Sequence, residues 1–94
     1  MADAIHELIA TEAARNKLAA RRISAAEAAQ LPRNRYTTLR NPRHANDDGK
    51  RRLLIGRTDG GRALTLVIER TVDPTTWLII TGWTATVRER KIIG

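Results

Sequence analysis

Cysteine is absent from the 94 residues, which excludes disulfides and thiolate metal sites. That usage agrees with a reducing cytosol, so a cytoplasmic location is the expectation. His6 and His44 lie far apart and no cysteine accompanies them, so no metal constellation forms and no cofactor is expected. Aromatic residues are nearly missing: Trp77, Trp83 and Tyr36 are the whole set, and only Tyr36 falls in a basic segment. A run of stacking platforms for single-stranded nucleic acid therefore has little support. No stretch approaches the ~18 continuous apolar residues of a membrane-crossing helix. The opening MADAIHEL is acidic where a secretory leader would be basic, which predicts no leader. No glycine loop that would cradle phosphate precedes a helix, and no Ser-His-Asp or paired-carboxylate arrangement can be assembled. Asn46-Asp47-Asp48-Gly49 resembles a cation loop only superficially, because the other positions of such a loop are lacking.

What the chain does have is positive charge, +7 in all, unevenly placed. Residues 1–32 are neutral, whereas residues 33–62 carry nine basic groups against three aspartates. Residues 63–83 are slightly acidic, and residues 84–94 are again basic. Most of the excess is arginine, whose planar fork suits bidentate contact with phosphate. A nucleic acid or an acidic protein segment is the natural partner; the plain alternative is a solubilising surface.

Residues 4–22 are rich in Ala, Leu, Glu, Lys and Arg, which predicts helix across most of that range. Thr11 can instead start the helix, leaving Ile5–Ala10 as a turn or a short strand. Ser24-Ala25-Ala26-Glu27 is a capping box opening a second, short helix that Leu31-Pro32 ends. Tyr36–Leu39 has edge-strand composition, and residues 41–49 read as loop. Strands follow over Arg52–Thr58, Arg62–Arg70 and Trp77–Trp83, joined by an Asp59-Gly60-Gly61 hairpin turn and an Asp73-Pro74 turn. Thr84 is the expected cap of a final helix from Ala85 to about Ile92. The order predicts an α+β fold: two N-terminal helices packed on a three- to four-stranded antiparallel sheet, followed by a C-terminal helix, in one domain over residues 1–94.

The strands are apolar on both faces. Leu64, Leu66 and Ile68 alternate with Ala63, Thr65 and Val67. Leu78 and Ile80 alternate with Trp77, Ile79, Thr81 and Trp83, so period-two counting puts both tryptophans on one face as core or interface anchors. A second apolar face calls either for the C-terminal helix as cover or for a partner, a homodimer being the simplest.

Three segments carry a family resemblance. Leu18-Ala19-Ala20-Arg21-Arg22-Ile23-Ser24-Ala25-Ala26-Glu27-Ala28 resembles a pattern of apolar, two variable residues, His-Gly, apolar, Ser, then Glu-Glu-Ala. Arg52–Thr58 with Asp59-Gly60-Gly61-Arg62 resembles a central hairpin, and Ile80-Thr81-Gly82-Trp83-Thr84-Ala85-Thr86 with Arg88-Glu89-Arg90-Lys91 resembles a closing strand and Glu-Arg-Arg helix. Together these resemble the BrnT-type toxins, within the RelE-like group of small ribonuclease toxins, over about residues 8–92. Two positions depart from the pattern. Arg21-Arg22 replaces His-Gly, and Trp83 replaces an arginine of a Ser-x-Arg motif.

The resemblance implies metal-independent RNA cleavage by attack of the ribose 2′-oxygen on the adjacent phosphate, with a cognate antitoxin as protein partner. On that implication Arg57, Arg62 and Arg88 stabilise phosphate, and His44, Glu89 or Lys91 moves protons. Lys50, Arg51, Arg52, Arg90 and Lys91 hold or steer RNA. Residue type alone gives plainer readings: His44 as a solvated loop histidine, Glu89 as an ion-pair partner of Arg88 and Arg90. The alternative function is a binding module on the same scaffold, gripping nucleic acid or antitoxin without efficient catalysis. Trp83 at a cationic position favours that alternative; the arginines at the strand ends favour the enzyme.

Overall fold

A computed structural model describes residues 4–40 and 50–94, and His44 lies outside the described residues. The order is β1 (Glu7–Ala10), α1 (Glu12–Ala19), α2 (Ala25–Ala29), a single 3₁₀ turn (Leu31–Arg33), β2 (Tyr36–Arg40), β3 (Arg51–Arg57), β4 (Ala63–Arg70), β5 (Thr76–Thr84) and α3 (Val87–Ile93). The strands form one five-stranded mixed sheet in the order β1-β5-β4-β3-β2, with β1 parallel to β5 and the other pairs antiparallel. The fold is therefore α+β with a C-terminal helix, as expected, but the sheet is larger than expected and not purely antiparallel.

The difference lies in residues 7–10, where composition favours helix but the chain takes the alternative, a short strand ahead of a helix that starts at Thr11. Thr11 caps α1: its backbone is extended and its hydroxyl accepts the Ala14 N–H at 3.2 Å. The residues before it lay themselves along the edge of β5. The Thr75 carbonyl accepts from the N–H groups of His6 and Glu7, and the Trp77 indole donates to Ala4 O at 3.1 Å. Leu8 and Ala10 then turn toward the core, while Ile9 points away and stays 41% exposed. An unpaired strand edge offers a row of hydrogen bonds that outweighs a helix propensity of a few tenths of a kcal/mol per residue.

The helix ends are set locally. Both hydrogen bonds of the Ser24–Glu27 capping box are made. Thr86 and Glu89 build a second capping box, so α3 starts two residues later than a Thr84 cap would place it. Helix α1 closes in a Schellman turn, with Ile23 N–H on Leu18 O at 3.0 Å and Arg22 N–H on Ala19 O at 3.0 Å. Arg22 sits in the left-handed region at φ 58°, where glycine is the ordinary occupant.

The larger core lies on one face of the sheet, where Leu54, Leu64, Leu66, Ile68, Trp77 and Ile79 meet Ala14, Leu18, Ile23, Ala28 and Leu31. A smaller cluster on the opposite face gathers Ile55, Ala63, Ala85 and Ile93 under α3. Helix α3 thus covers one end of the second face; Leu39, at the other end, is 37% exposed.

The two tryptophans do not share a face. Ile68 pairs with Ile79 but Val67 pairs with Thr81, so Ile80 is an extra residue that breaks the alternation. Trp77 therefore joins the main core, 1% exposed, while Trp83 pairs with Thr65 on the α3 side. Between them Gly82 is buried where α1 comes closest. A β-carbon there would stand 2.6 Å from Leu66 Cδ2, 3.0 Å from Leu18 Cδ2 and 3.0 Å from Thr65 O.

Gly82→Ala is expected to destabilise by roughly 1–3 kcal/mol through overpacking, whereas Gly60→Ala, whose new β-carbon meets nothing closer than Thr58 Oγ1 at 3.9 Å, leaves stability unchanged. Urea unfolding of the two variants checks the contrast.

Candidate nucleic-acid interface

Arg57 and Arg62 flank the β3–β4 turn but leave it in opposite directions. Arg57 ends β3 on the α3 side, donating to Gly61 O at 3.0 Å and Gly94 O at 3.2 Å. Arg62 turns to the α1–α2 side, donating to Arg22 O at 2.8 Å, to both Glu27 carboxylate oxygens at 3.3–3.4 Å, and to Thr84 Oγ1 at 3.3 Å. The backbone N–H that Glu27 accepts at Ser24 and the neighbouring Arg62 guanidinium hold the Glu27 carboxyl below its ordinary range. These two expected phosphate-binding residues are thus separated by the thickness of the sheet.

Glu89 is deep in its own network. Partial burial pushes its carboxyl up, but the Thr86 N–H at 2.8 Å and the Trp83 indole N–H at 3.1 Å hold it below the usual carboxylate value. The fully buried Thr65 hydroxyl adds to the lowering from the same side, although it completes no well-formed hydrogen bond. A carboxylate so held is a helix cap first and a weak base. Its neighbours Arg88, Arg90 and Lys91 are all exposed, as is Lys50.

The expected RNA-steering residues split into two groups. Arg51 and Arg52 begin β3, about 20 Å along the strand from Arg57 at the usual rise per residue. Arg51 pairs with Glu69 at 3.0 Å, and Arg52 donates to Arg51 O at 3.0 Å. Arg90 and Lys91 lie with α3 at the other end of the sheet. There a cleft of about 400 Å³ opens between β2 and α3, lined by Arg35, Tyr36, Thr37, Lys91, Ile92, Ile93 and Gly94. On the turn side, Arg33 and Asp59 form an exposed ion pair, to which Asn34 Nδ2 adds a hydrogen bond at 2.9 Å.

Sequence reading missed the residue pair that ends α1. Arg21 crosses the edge of β5, donating to Gly82 O at 2.8 Å and setting its guanidinium 6.0 Å from the centre of the Trp83 ring. Arg21 and Trp83, both noted in the sequence only as departures from the resembled pattern, therefore lie side by side. The basic dipeptide was visible in the sequence, but it lies outside the cation-rich segment, and only the fold brings it to Trp83. Among the described residues no group of three or more His, Asp or Glu side chains could hold a metal ion, and no described helix is long and apolar enough to cross a membrane. Compared with family models, curated proteins and solved structures, the chain gives no match.

Because the Glu89 pKa is lowered on folding, its contribution to stability is complete above the ordinary value of 4.5 and is lost as the pH falls through the lower folded value. Glu89→Gln is accordingly expected to be less stable than the parent at neutral pH. Thermal melts from neutrality down to about pH 3 should show its stability falling less steeply than the parent's over that acid range.

Proposed function

We propose that the chain is an RNA-directed toxin of the BrnT-like kind, cleaving phosphodiester bonds without metal and held silent by a cognate antitoxin. The observation that carries this reading is Arg22. It occupies the glycine position of the toxin pattern and has the positive φ, 58°, for which a pattern would keep glycine. The layout is in keeping with it: a Schellman turn into a capped helix, then a meander, then a capped helix bearing Arg88, Glu89, Arg90 and Lys91.

In the reaction the ribose 2′-oxygen attacks phosphorus and the 5′-oxygen leaves. One proton departs the 2′-hydroxyl, another reaches the leaving oxygen, and negative charge grows on the phosphoryl oxygens. Arginine remains charged throughout and serves that growing charge, not the proton transfers. Arg88, exposed on the first turn of α3, is free to do so. Arg57 and Arg62 stand on either side of the sheet end and can reach substrate only by exchanging their present partners.

The second reading, a binding module on this scaffold with little catalysis, is favoured by those same bonds. Arg57, Arg62 and Glu89 all spend their hydrogen bonds inside the fold, and Trp83 occupies a position where the pattern has a cation.

Induced expression in a bacterial host separates the two. The toxin reading expects growth arrest with transcript cleavage mapped by primer extension, and a loss of about 100-fold in cleavage on Arg88→Ala. Unaffected growth with intact transcripts sinks the toxin reading in favour of the binding module.

A further inference from the structure

Strand β1 pairs with β5 only from Thr76 to Ile79. From Ile80 to Thr84 the outer edge of β5 has no strand beside it among the described residues, and the Gly82 carbonyl on that edge is met by the Arg21 side chain. Four features converge on this stretch. Trp83 is partly exposed, with its indole fixed at one end by the bond to Glu89. Arg21, itself exposed, overhangs the ring. Arg22 is exposed beside it, and its carbonyl is tied to Arg62, which also reaches Thr84. Thr84 is exposed at the end of the strand.

We propose that this open edge of β5 is a binding site for single-stranded RNA, with Trp83 and Arg21 stacking a base and Arg21 and Arg22 contacting phosphate. The choice of RNA as ligand rests on the function proposed above; the site itself rests on the geometry. A partly exposed indole held rigid by its own N–H bond is a stacking surface that loses little entropy on binding. The guanidinium at 6.0 Å is at the outer limit of a cation–π contact, so the pair is open enough to rearrange around a base. An arginine plane accepts a stacked base as an aromatic ring does, while its N–H groups reach phosphate. The other tryptophan offers no such surface, because Trp77 is 1% exposed and bound to Ala4 O. Arg62 holds the Arg22 carbonyl and so keeps the loop in place; its charge is shared with Glu27, which leaves Arg21 and Arg22 as the unneutralised cations of the edge.

The site is tested by titrating the full chain with a fluorescently labelled oligouridylate, following anisotropy at several salt concentrations and, with unlabelled oligomer, tryptophan emission. The parent should bind with salt dependence and with a change in emission from Trp83. Arg22→Gly is the sharpest variant, since glycine fits φ 58° at least as well as arginine and removes only the cation. It should weaken binding several-fold and lower the salt slope by about one. Arg21→Ala should weaken binding about tenfold or more, having removed both a stacking plane and a phosphate contact. Trp83→Phe should retain binding and abolish the emission change, with circular dichroism melts confirming that each variant is folded. Failure of the parent to bind, or binding by Arg21→Ala and Arg22→Gly with parental affinity and salt slope, overturns the proposal. Cleavage by a parent whose Arg21 and Arg22 variants bind and cleave normally removes this site and leaves the toxin reading standing. Binding lost in those variants of a parent that never cleaves keeps the site and removes the toxin reading.

Discussion

Leu18, near the end of α1, and Leu66 of β4 both press on Gly82 so closely that even a β-carbon there would force them to shift. This contact fixes the arginine-rich end of the molecule. It sets the distance between α1 and the sheet, and therefore where the Schellman turn delivers Arg21 and Arg22. A buried leucine contact of this kind contributes on the order of 2–5 kcal/mol by truncation, far more than any exposed ion pair at that end. The cations follow from the packing, and the packing does not follow from them.

Charge is then distributed around a scaffold that apolar contacts have already fixed. Some arginines are absorbed by the fold: Arg51 by Glu69, Arg33 by Asp59, Arg62 by Glu27 and two further oxygens. Others stay at the surface, on α3 and at the end of α1. The absorbed set orders turns and strand ends, and the surface set is available to a polyanion. This division explains how a chain of net charge +7 keeps its sheet together while still presenting cations at its surface. It also separates residues that look equivalent in the sequence, because Arg57 and Arg62 bracket one turn yet project to opposite faces.

Local signals were legible wherever the deciding partner lay a few residues away. The Ser24–Glu27 box, the Asp59-Gly60-Gly61 turn and the stop at Leu31-Pro32 each act over one turn of chain, and each stands where the sequence places it. The final cap was missed by two residues because Thr84 and Thr86 are alike as acceptors, and only Thr86 has Glu89 at the reciprocal position. Strand β1 was legible only as the lesser alternative, for a different reason. Glu7–Ala10 is good helix sequence, and what makes it a strand is the edge of β5, nearly 70 residues away. The parity of Trp77 and Trp83 failed at Ile80, where one extra residue reverses which face every later side chain joins. As for the candidate site, its cations on α3 could be read from composition, but its aromatic member could not be placed.

By itself the sequence determined the α+β class, the Ser24–Glu27 helix cap, the hairpin turn and the excess of arginine. These depend on backbone preferences and on hydrogen bonds that close within a few residues. Only the tertiary structure decided that the chain's first strand pairs with its last, that Trp83 faces α3, and that Arg21 lies over it. Those outcomes depend on long-range hydrogen-bond pairing and on a register shift whose energy is settled across the whole sheet, where no local pattern of residue types records it.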